Sequence, residues 1–177
     1  MVPDIKKILF PTNLSRQTRS AFEYAASIAN QFGAAITLLH VMEEVSHSAD
    51  ARLKNLLGED RWQELQESQE QEARQILIGK KKEGAMIREC LDEFCEKIRT
   101  DLGEVGFITE EIVVARGNVV DEILSEAQSR GCDLIIMGYH VRGRLEETVL
   151  GSTTRRLLRR SKTPVMLVQL VEGEVQE

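Results

Sequence analysis

The chain has 177 residues, of which 42% are hydrophobic and 29% charged, and its formal net charge is −6. This composition is typical of a soluble globular protein, and we predict a single domain over residues 1–177. The acidic balance gives no reason to expect a nucleic-acid partner, because a duplex would repel it. No stretch approaches the ~18 apolar residues of a membrane span, and the N-terminus does not resemble a signal peptide. We therefore expect a cytoplasmic protein.

The first 41 residues follow the pattern of a βαβ unit. The continuous apolar run Ile8–Pro11 predicts a strand buried on both faces. Ser15 is a candidate N-cap for a helix with apolar residues at helical spacing, and Gly33 is a candidate left-handed C-cap. A second β-rich run, Ala35–Val41, follows. We expect the connection between the two strands to be right-handed.

Residues 45–106 contain more chain than one crossover needs. An apolar stripe at helical spacing predicts a helix that covers the sheet, with the members Met86, Cys90, Leu91, Phe94, Cys95 and Ile98. Before it lies a segment rich in Glu and Gln, residues 59–78. We predict that 45–84 is a helical insertion, which is either an amphipathic helix docked on the domain or an arm that binds a partner.

Strands and helices alternate again in the last third of the chain. We predict a strand at Ile112–Val114, a helix from about Asn118 to Arg130, a strand at Leu134–Ile136, a helix over about 149–162 and a strand at Pro164–Leu170. Strands that alternate with single helices indicate a parallel sheet. The predicted fold is therefore α/β, a three-layer doubly wound parallel sheet of about five strands with helices on both faces.

A glycine-rich loop precedes the last helix and is a candidate anion site. Open parallel sheets bind ligands beyond the carboxyl ends of their strands. At Gly151-Ser152-Thr153 a helix begins, and backbone N–H groups at a helix start favour an anion. Arg142 could add a charge-assisted hydrogen bond. The alternative is that Ser152 is a simple cap and that the nearby arginines form a solvated face.

Several of these segments resemble the universal stress protein family. The strand and turn Ile8–Asn13 and the closing strand Pro164–Val168 are similar to the family's first and last strands. The ATP-binding branch of the family carries Gly, two residues, Gly, nine residues, and then Gly-Ser or Gly-Thr. Here Gly138 and Gly151 take the first and last glycine positions, and Val141 takes the middle one. The glycine motif is thus degenerate.

The resemblance implies an adenine nucleotide α-hydrolase-like fold and a regulatory protein of the stress response. It would bind ATP, AMP or another adenine nucleotide, with or without Mg²⁺. The resemblance also implies a homodimer through Val165–Leu170 and a protein partner that the sequence does not identify. The implied nucleotide-binding residues are Pro11, Thr12, Asn13, Val41, Met137, Gly138, His140, Arg142, Gly151, Ser152 and Thr153.

Two of these positions have a more specific implication. In the family the adenine rests against the end of the second strand, which is Val41 here. Asn13 stands where the family has aspartate, and it keeps one oxygen that can accept a hydrogen bond from a ribose hydroxyl.

Two other functions stay open. A family member that has lost nucleotide binding would act as a dimeric protein-interaction module, and both Val141 and the insertion favour this alternative. An enzyme of a related fold would carry a Ser-Gly-Gly loop or a His-x-Gly-His pattern, and neither occurs. His140 has no acid or metal partner that the sequence reveals. We therefore assign no catalytic residue and no metal ligand, and expect at most slow ATP hydrolysis.

Overall fold

The computed structural model describes residues 4–15, 17–43, 59–103, 107–140 and 150–170, with the backbone alone for 59–78, 80, 110 and 140. Five strands and four helices alternate in these ranges. In chain order they are β1 (Lys7–Thr12), α1 (Thr18–Phe32), β2 (Ala35–Glu43), α2 (Glu59–Leu102), β3 (Ile108–Gly117), α3 (Val119–Ser129), β4 (Leu134–His140), α4 (Ser152–Arg160) and β5 (Val165–Leu170). None of the helices in the described ranges combines the length and the apolarity needed to cross a bilayer.

The strands form one parallel sheet with the order β3-β2-β1-β4-β5. The predicted doubly wound parallel sheet is thus confirmed. From β1 the chain moves outward to β2 and β3, and then returns to β4 on the other side of β1. The strand order therefore reverses between β1 and β4, where sheets of this kind open a crevice at their carboxyl ends.

Helices cover both faces of the sheet. On the face of α1 and α2, Phe22 makes edge-to-face contacts with Phe10 and Phe94, with ring centroids 5.1 Å and 5.4 Å away. On the face of α3 and α4, Leu9 and Leu157 belong to a second buried cluster. The sheet thus has a core on each face, because its central strands are buried on both faces.

The ends of α1 and α4 refine the sequence expectations. Gly33 adopts the expected left-handed conformation, with φ 65°, and ends α1. The expectation that Ser15 caps this helix is wrong, because α1 begins at Thr18 after Gln17 and no described side chain caps it. The last helix covers only Ser152–Arg160 rather than 149–162, because the backbone is extended at Gly151 and again at Ser161.

The long helix α2 joins two segments that the sequence separates at residue 84. It has 44 residues and continues through Gly79 and Gly84 without interruption. Residues 45–58 of the predicted insertion lie outside the described ranges. The extent of the insertion and the single domain over 1–177 stay predictions.

Two members of the predicted apolar stripe on α2 do not pack against the sheet. Met86 is 61% exposed, and Cys90 is also exposed. The buried residues at this end of the helix are Leu91, Cys95 and Ile98. Their spacing of four and three residues fixes the face that contacts the sheet, and Met86 and Cys90 lie off that face.

Candidate functional site

A pocket of about 420 Å³ lies at the carboxyl ends of β1, β2 and β4, beside the start of α4. This is the place where the strand order reverses, and the volume is within the range of small-molecule sites. Nine of the eleven predicted site residues line it, namely Pro11, Thr12, Asn13, Val41, Met137, Gly138, Gly151, Ser152 and Thr153. The fold therefore brings together residues that are up to 142 positions apart, from Pro11 to Thr153.

The side chains of the other two predicted residues, His140 and Arg142, lie outside the described part of the structure. His140 ends β4, and its backbone pairs with Leu170 of β5. Arg142 lies outside the described residues, as does Val141. Their roles toward a nucleotide stay predictions.

The loop after β1 is organised by hydrogen bonds to two of its own side chains. The Asn13 Oδ1 atom accepts from the Ser15 backbone N–H at 3.1 Å and from the Thr18 hydroxyl at 3.3 Å. The Thr12 Oγ1 atom accepts from the Leu14 N–H at 3.0 Å. Leu14 is held in the left-handed region with φ 59°, a conformation that is uncommon for a residue with a side chain like leucine's.

This loop changes what Asn13 can offer to a ligand. Because the Ser15 N–H only donates, the atom facing it must be the amide oxygen and not the nitrogen. The two hydrogen bonds occupy both lone pairs of that oxygen. The Asn13 NH₂ group, which has no hydrogen bond among the described residues, is therefore the part of the side chain available for an acceptor on a ligand.

The start of α4 forms one wall of the pocket, and no side chain in the described ranges caps it. Gly151 is extended, with φ −56° and ψ 155°, and the first turn contains no acidic residue. The N–H groups of Ser152 and Thr153 precede the first intrahelical donor, which is Arg155 N bonded to the Gly151 carbonyl at 3.0 Å. Unpaired N–H groups and the helix dipole favour an anion at this position.

No lysine or arginine lines the pocket in the part of the chain that the structure describes. Attraction of an anion by these residues thus depends on backbone N–H groups and hydroxyls. The described ranges also contain no cluster of three or more His, Cys, Asp or Glu residues that could hold a metal ion.

Sequence reasoning missed several residues that line the pocket. The His40 Nδ1 atom lies 3.0 Å from the Thr12 carbonyl oxygen and joins the ends of β2 and β1. Glu43 lies at the exposed end of β2, and Tyr139 follows Gly138 on β4. A signal was present for His40 and Glu43, since both are polar residues near the carboxyl end of a mostly apolar strand.

Gly138 has a packing reason in addition to its place in the glycine motif. A Cβ atom at this position would lie 2.7 Å from Leu170 Cδ1 and 2.9 Å from Leu170 Cδ2. Leu170 is almost fully buried on the neighbouring strand β5, and both residues line the pocket. The absence of a side chain at Gly138 thus lets the end of β5 close the pocket wall.

Comparison with known proteins agrees with the fold. The sequence model of the universal stress protein family matches residues 4–169. Universal stress protein MJ0577 of Methanocaldococcus jannaschii is 30% identical over 164 residues, which cover 93% of this chain and 94% of that protein. Universal stress protein YxiE of Bacillus subtilis is 27% identical over 163 residues, which cover 92% of this chain and 98% of that protein.

Solved structures give the same result. The structure of MJ0577 has a TM-score of 0.56 and 26% identity, and the match covers 96% of this chain and 99% of that one. A universal stress protein in complex with cAMP has a TM-score of 0.54 at 18% identity, covering 95% and 99%, which shows likeness of fold alone. With the family match spanning nearly the whole sequence, this chain belongs to the universal stress protein family.

Proposed function

We propose that this universal stress protein binds an adenine nucleotide, ATP or AMP, in the pocket at the carboxyl ends of β1, β2 and β4. In this proposal it acts as a dimeric regulator in the stress response, together with a protein partner that is not identified. The observation that carries the proposal is the uncapped start of α4, which opens into a pocket with apolar walls from β1 and β2. An apolar pocket with a few convergent polar groups is the usual form of a cofactor site.

The pocket has chemically different ends that suit the parts of a nucleotide. Val41 is half-buried at the end of β2 and supplies apolar surface where a purine base would lie, whereas Leu39, two residues earlier, is fully buried. The N–H groups and hydroxyls of Ser152 and Thr153 suit the phosphates. Asn13 lies in the loop after β1, and its NH₂ group suits an oxygen of the ribose or of the first phosphate. The universal stress protein solved with cAMP indicates that this fold can hold an adenine nucleotide, and it assigns no residue roles here.

Calorimetric titration with ATP, ADP and AMP tests the proposal. Native protein should release or absorb heat with at least one of them, and Gly151→Val should abolish the signal. A Cβ at Gly151 meets no described atom within 4 Å, so the variant should fold, and its side chain adds bulk at the pocket wall beside the N–H groups of Ser152 and Thr153. Gly79→Val is a matched control, because a Cβ at Gly79 also meets no described atom within 4 Å, and Gly79 lies in α2 and does not line the pocket. No heat with any nucleotide at millimolar concentration contradicts the proposal.

The second candidate is a family member that has lost nucleotide binding and acts as a dimeric interaction module. Val141 favours it, because a β-branched residue is bulkier and conformationally more restricted than the glycine of the ATP-binding signature. Val141→Gly separates the two candidates. If the variant binds ATP and the native protein does not, the second candidate is correct.

Dimerisation through Val165–Leu170 has support from the sheet. β3 and β5 are the two edges of the sheet. The edge at β3 is irregular, since the pairing with β2 passes from Thr109 directly to Glu111. In addition, the Arg88 side chain donates a hydrogen bond to the Ile112 carbonyl of β3. Bulges and charged side chains of this kind hinder pairing with another strand. β5 is regularly paired with β4 and mostly apolar, so it is the edge better suited to a second copy.

A further inference from the structure

We propose that the dimer interface extends from β5 onto one flank of α1, the α1 stripe formed by Tyr24, Ile28 and Phe32, and that the same stripe of a second copy covers it. This inference rests on the proposed dimer through β5. It adds a surface, and a partner for that surface, to the proposed strand pairing.

Two of the three side chains in the α1 stripe are large, largely apolar and exposed to solvent. Its members are four residues apart and therefore lie along one line of the helix. Tyr24 is 56% exposed and Phe32 is 52% exposed, whereas Ile28 between them is half-buried against the core. Contiguous exposed aromatic and aliphatic side chains mark interaction surfaces.

The opposite flank of α1 faces α2. The Arg19 Nη1 atom lies 3.0 Å from Asp101 Oδ2 on α2, and the Phe22 ring contacts Phe94 of the same helix. At 3.6 residues per turn, Tyr24 and Phe32 are each about 140° around the helix axis from Arg19. The α1 stripe is therefore turned away from α2.

The direction away from α2 is the direction of the β5 edge. α2 contacts β3, and α1 contacts β4 and β5, so α1 is the helix nearer to β5 on this face of the sheet. Ile28 and Met166 of β5 pack against the same core cluster. The α1 stripe and the β5 edge thus lie on the same side of the protein.

The symmetry of strand pairing brings two α1 stripes toward each other. A twofold axis that pairs β5 with β5 of a second copy makes the strands antiparallel and runs perpendicular to the sheet. Such an axis keeps the two faces of the sheet on their own sides. Hence α1 of one copy faces α1 of the other, and the contact is made by the same surface on both copies.

Strand pairing alone gives too little contact for a stable dimer. β5 has six residues and is about 20 Å long, so its edge, about 10 Å thick, offers roughly 200 Å² per copy. A standard interface buries about 800 Å² per partner. Additional surface on the same side is therefore needed, and the α1 stripe is apolar surface in that position.

The hydrogen-bond pattern of β5 allows the edge to be blocked without disturbing the sheet. The Ile135 N–H donates to the Pro164 carbonyl at 2.9 Å, so in the parallel ladder the residues at even positions bond to β4. The backbone groups of Val165, Leu167 and Gln169 point away from β4. Gln169 has an exposed side chain, and proline is tolerated on an edge where its missing N–H would face solvent.

Sedimentation equilibrium of full-length variants tests the inference. Native protein should be dimeric, and Gln169→Pro should be monomeric. Tyr24→Glu and Phe32→Glu should each weaken dimerisation by about tenfold or more, because an ionised carboxylate loses its water in an apolar contact. Asn30→Glu is the control, since Asn30 is exposed on the same helix but lies on the flank toward α2. Far-UV circular dichroism verifies that each variant is folded.

The outcomes separate the inference from the proposed dimer. If both stripe variants dimerise like native protein while Gln169→Pro is monomeric, the β5 dimer stands and the α1 stripe is not part of it. If native protein is monomeric at high concentration, both ideas are wrong. Weakening by Tyr24→Glu and Phe32→Glu but not by Asn30→Glu supports the α1 stripe.

Discussion

The Nδ1 atom of His40 lies 3.0 Å from the carbonyl oxygen of Thr12, and this contact joins the ends of β1 and β2 beside the pocket. A carbonyl oxygen only accepts hydrogen bonds, so Nδ1 must carry the proton. In the neutral ring Nε2 is then an acceptor. His40 thus fixes the last carbonyl of β1 directly before the loop that contains Asn13.

Replacing His40 should therefore affect both the loop and the pocket. His40→Leu leaves the Thr12 carbonyl without its partner and should lower the free energy of unfolding by about 1 kcal/mol. It should also weaken nucleotide binding several-fold, because the loop after β1 is less well fixed. His40→Asn is the control, since its amide can still donate to Thr12. Equal nucleotide affinity and equal urea midpoints for His40→Leu and native protein contradict this role.

Asn13→Asp should increase affinity for the ribose. The Asn13 oxygen already accepts from Ser15 and Thr18, whereas a carboxylate keeps these bonds and adds a second oxygen that can accept from a hydroxyl. We expect adenosine to bind roughly fivefold more tightly to the variant, because a hydrogen bond from a ribose hydroxyl to a carboxylate is about 1 kcal/mol stronger than the neutral bond that the Asn13 NH₂ group can make. The measurement uses adenosine because it has no phosphate to be repelled by the new charge.

Dideoxyadenosine, which lacks both hydroxyls, is the control ligand for this change. Its affinity should be the same for Asn13→Asp and for native protein. An equal gain for adenosine and dideoxyadenosine means that the new oxygen does not contact the ribose, and the proposed position of Asn13 is then wrong.

Gly138 and Leu170 should be energetically coupled. A methyl group at position 138 would lie 2.7 Å from a terminal carbon of Leu170, so that side chain must move. Gly138→Ala should cost about 1–3 kcal/mol in the free energy of unfolding, as overpacking usually does. In a Leu170→Ala background the same change should cost much less. Urea unfolding of the four proteins measures the coupling, and additive costs contradict the contact.

The left-handed backbone conformation of Leu14 predicts opposite effects on stability for two substitutions at this position. Leu14 is 44% exposed and has φ 59°. Asparagine tolerates this conformation better than leucine, and valine tolerates it worse. Leu14→Asn should therefore stabilise the protein by about 0.5 kcal/mol, and Leu14→Val should destabilise it by about 1 kcal/mol. Thermal unfolding of both variants tests the order, and the reverse order would show that packing of this side chain outweighs backbone strain.

The sequence predicted the sheet because its signals are local. The runs at β1, β2, β4 and β5 are mostly apolar, and Gly33 is a residue type that readily adopts the conformation at the end of α1. It also predicted most of the pocket, since the carboxyl ends of β1 and β4 must meet at one edge of a parallel sheet. These features need no knowledge of long-range contacts.

What the sequence did not predict depends on contacts between distant residues. His40 donates to Thr12, which is 28 residues away, and no local pattern encodes that pair. Met86 and Cys90 fit a helical stripe, but the face of α2 that meets the sheet is chosen by Leu91 and Ile98. The sequence suggested that Ser15 caps α1. Instead, the Asn13 oxygen accepts hydrogen bonds from the Ser15 N–H and the Thr18 hydroxyl, and these bonds hold the loop.

Cys95 should make the stability of the protein depend on alkaline pH. Burial raises the pKa of the Cys95 thiol above its ordinary value of about 8.5. Because the folded-state pKa is the higher one, the stabilisation is fully present below about pH 8.5 and is lost as the pH rises toward the folded-state value. In that window native protein should lose up to about 1.4 kcal/mol of unfolding free energy per pH unit through this group.

Urea unfolding between pH 7 and pH 10 should show this loss in native protein and in Cys90→Ala, where the exposed Cys90 is replaced. Cys95→Ala should be less stable at pH 7 but should lack this part of the pH dependence, and identical slopes for Cys95→Ala and native protein contradict the assignment.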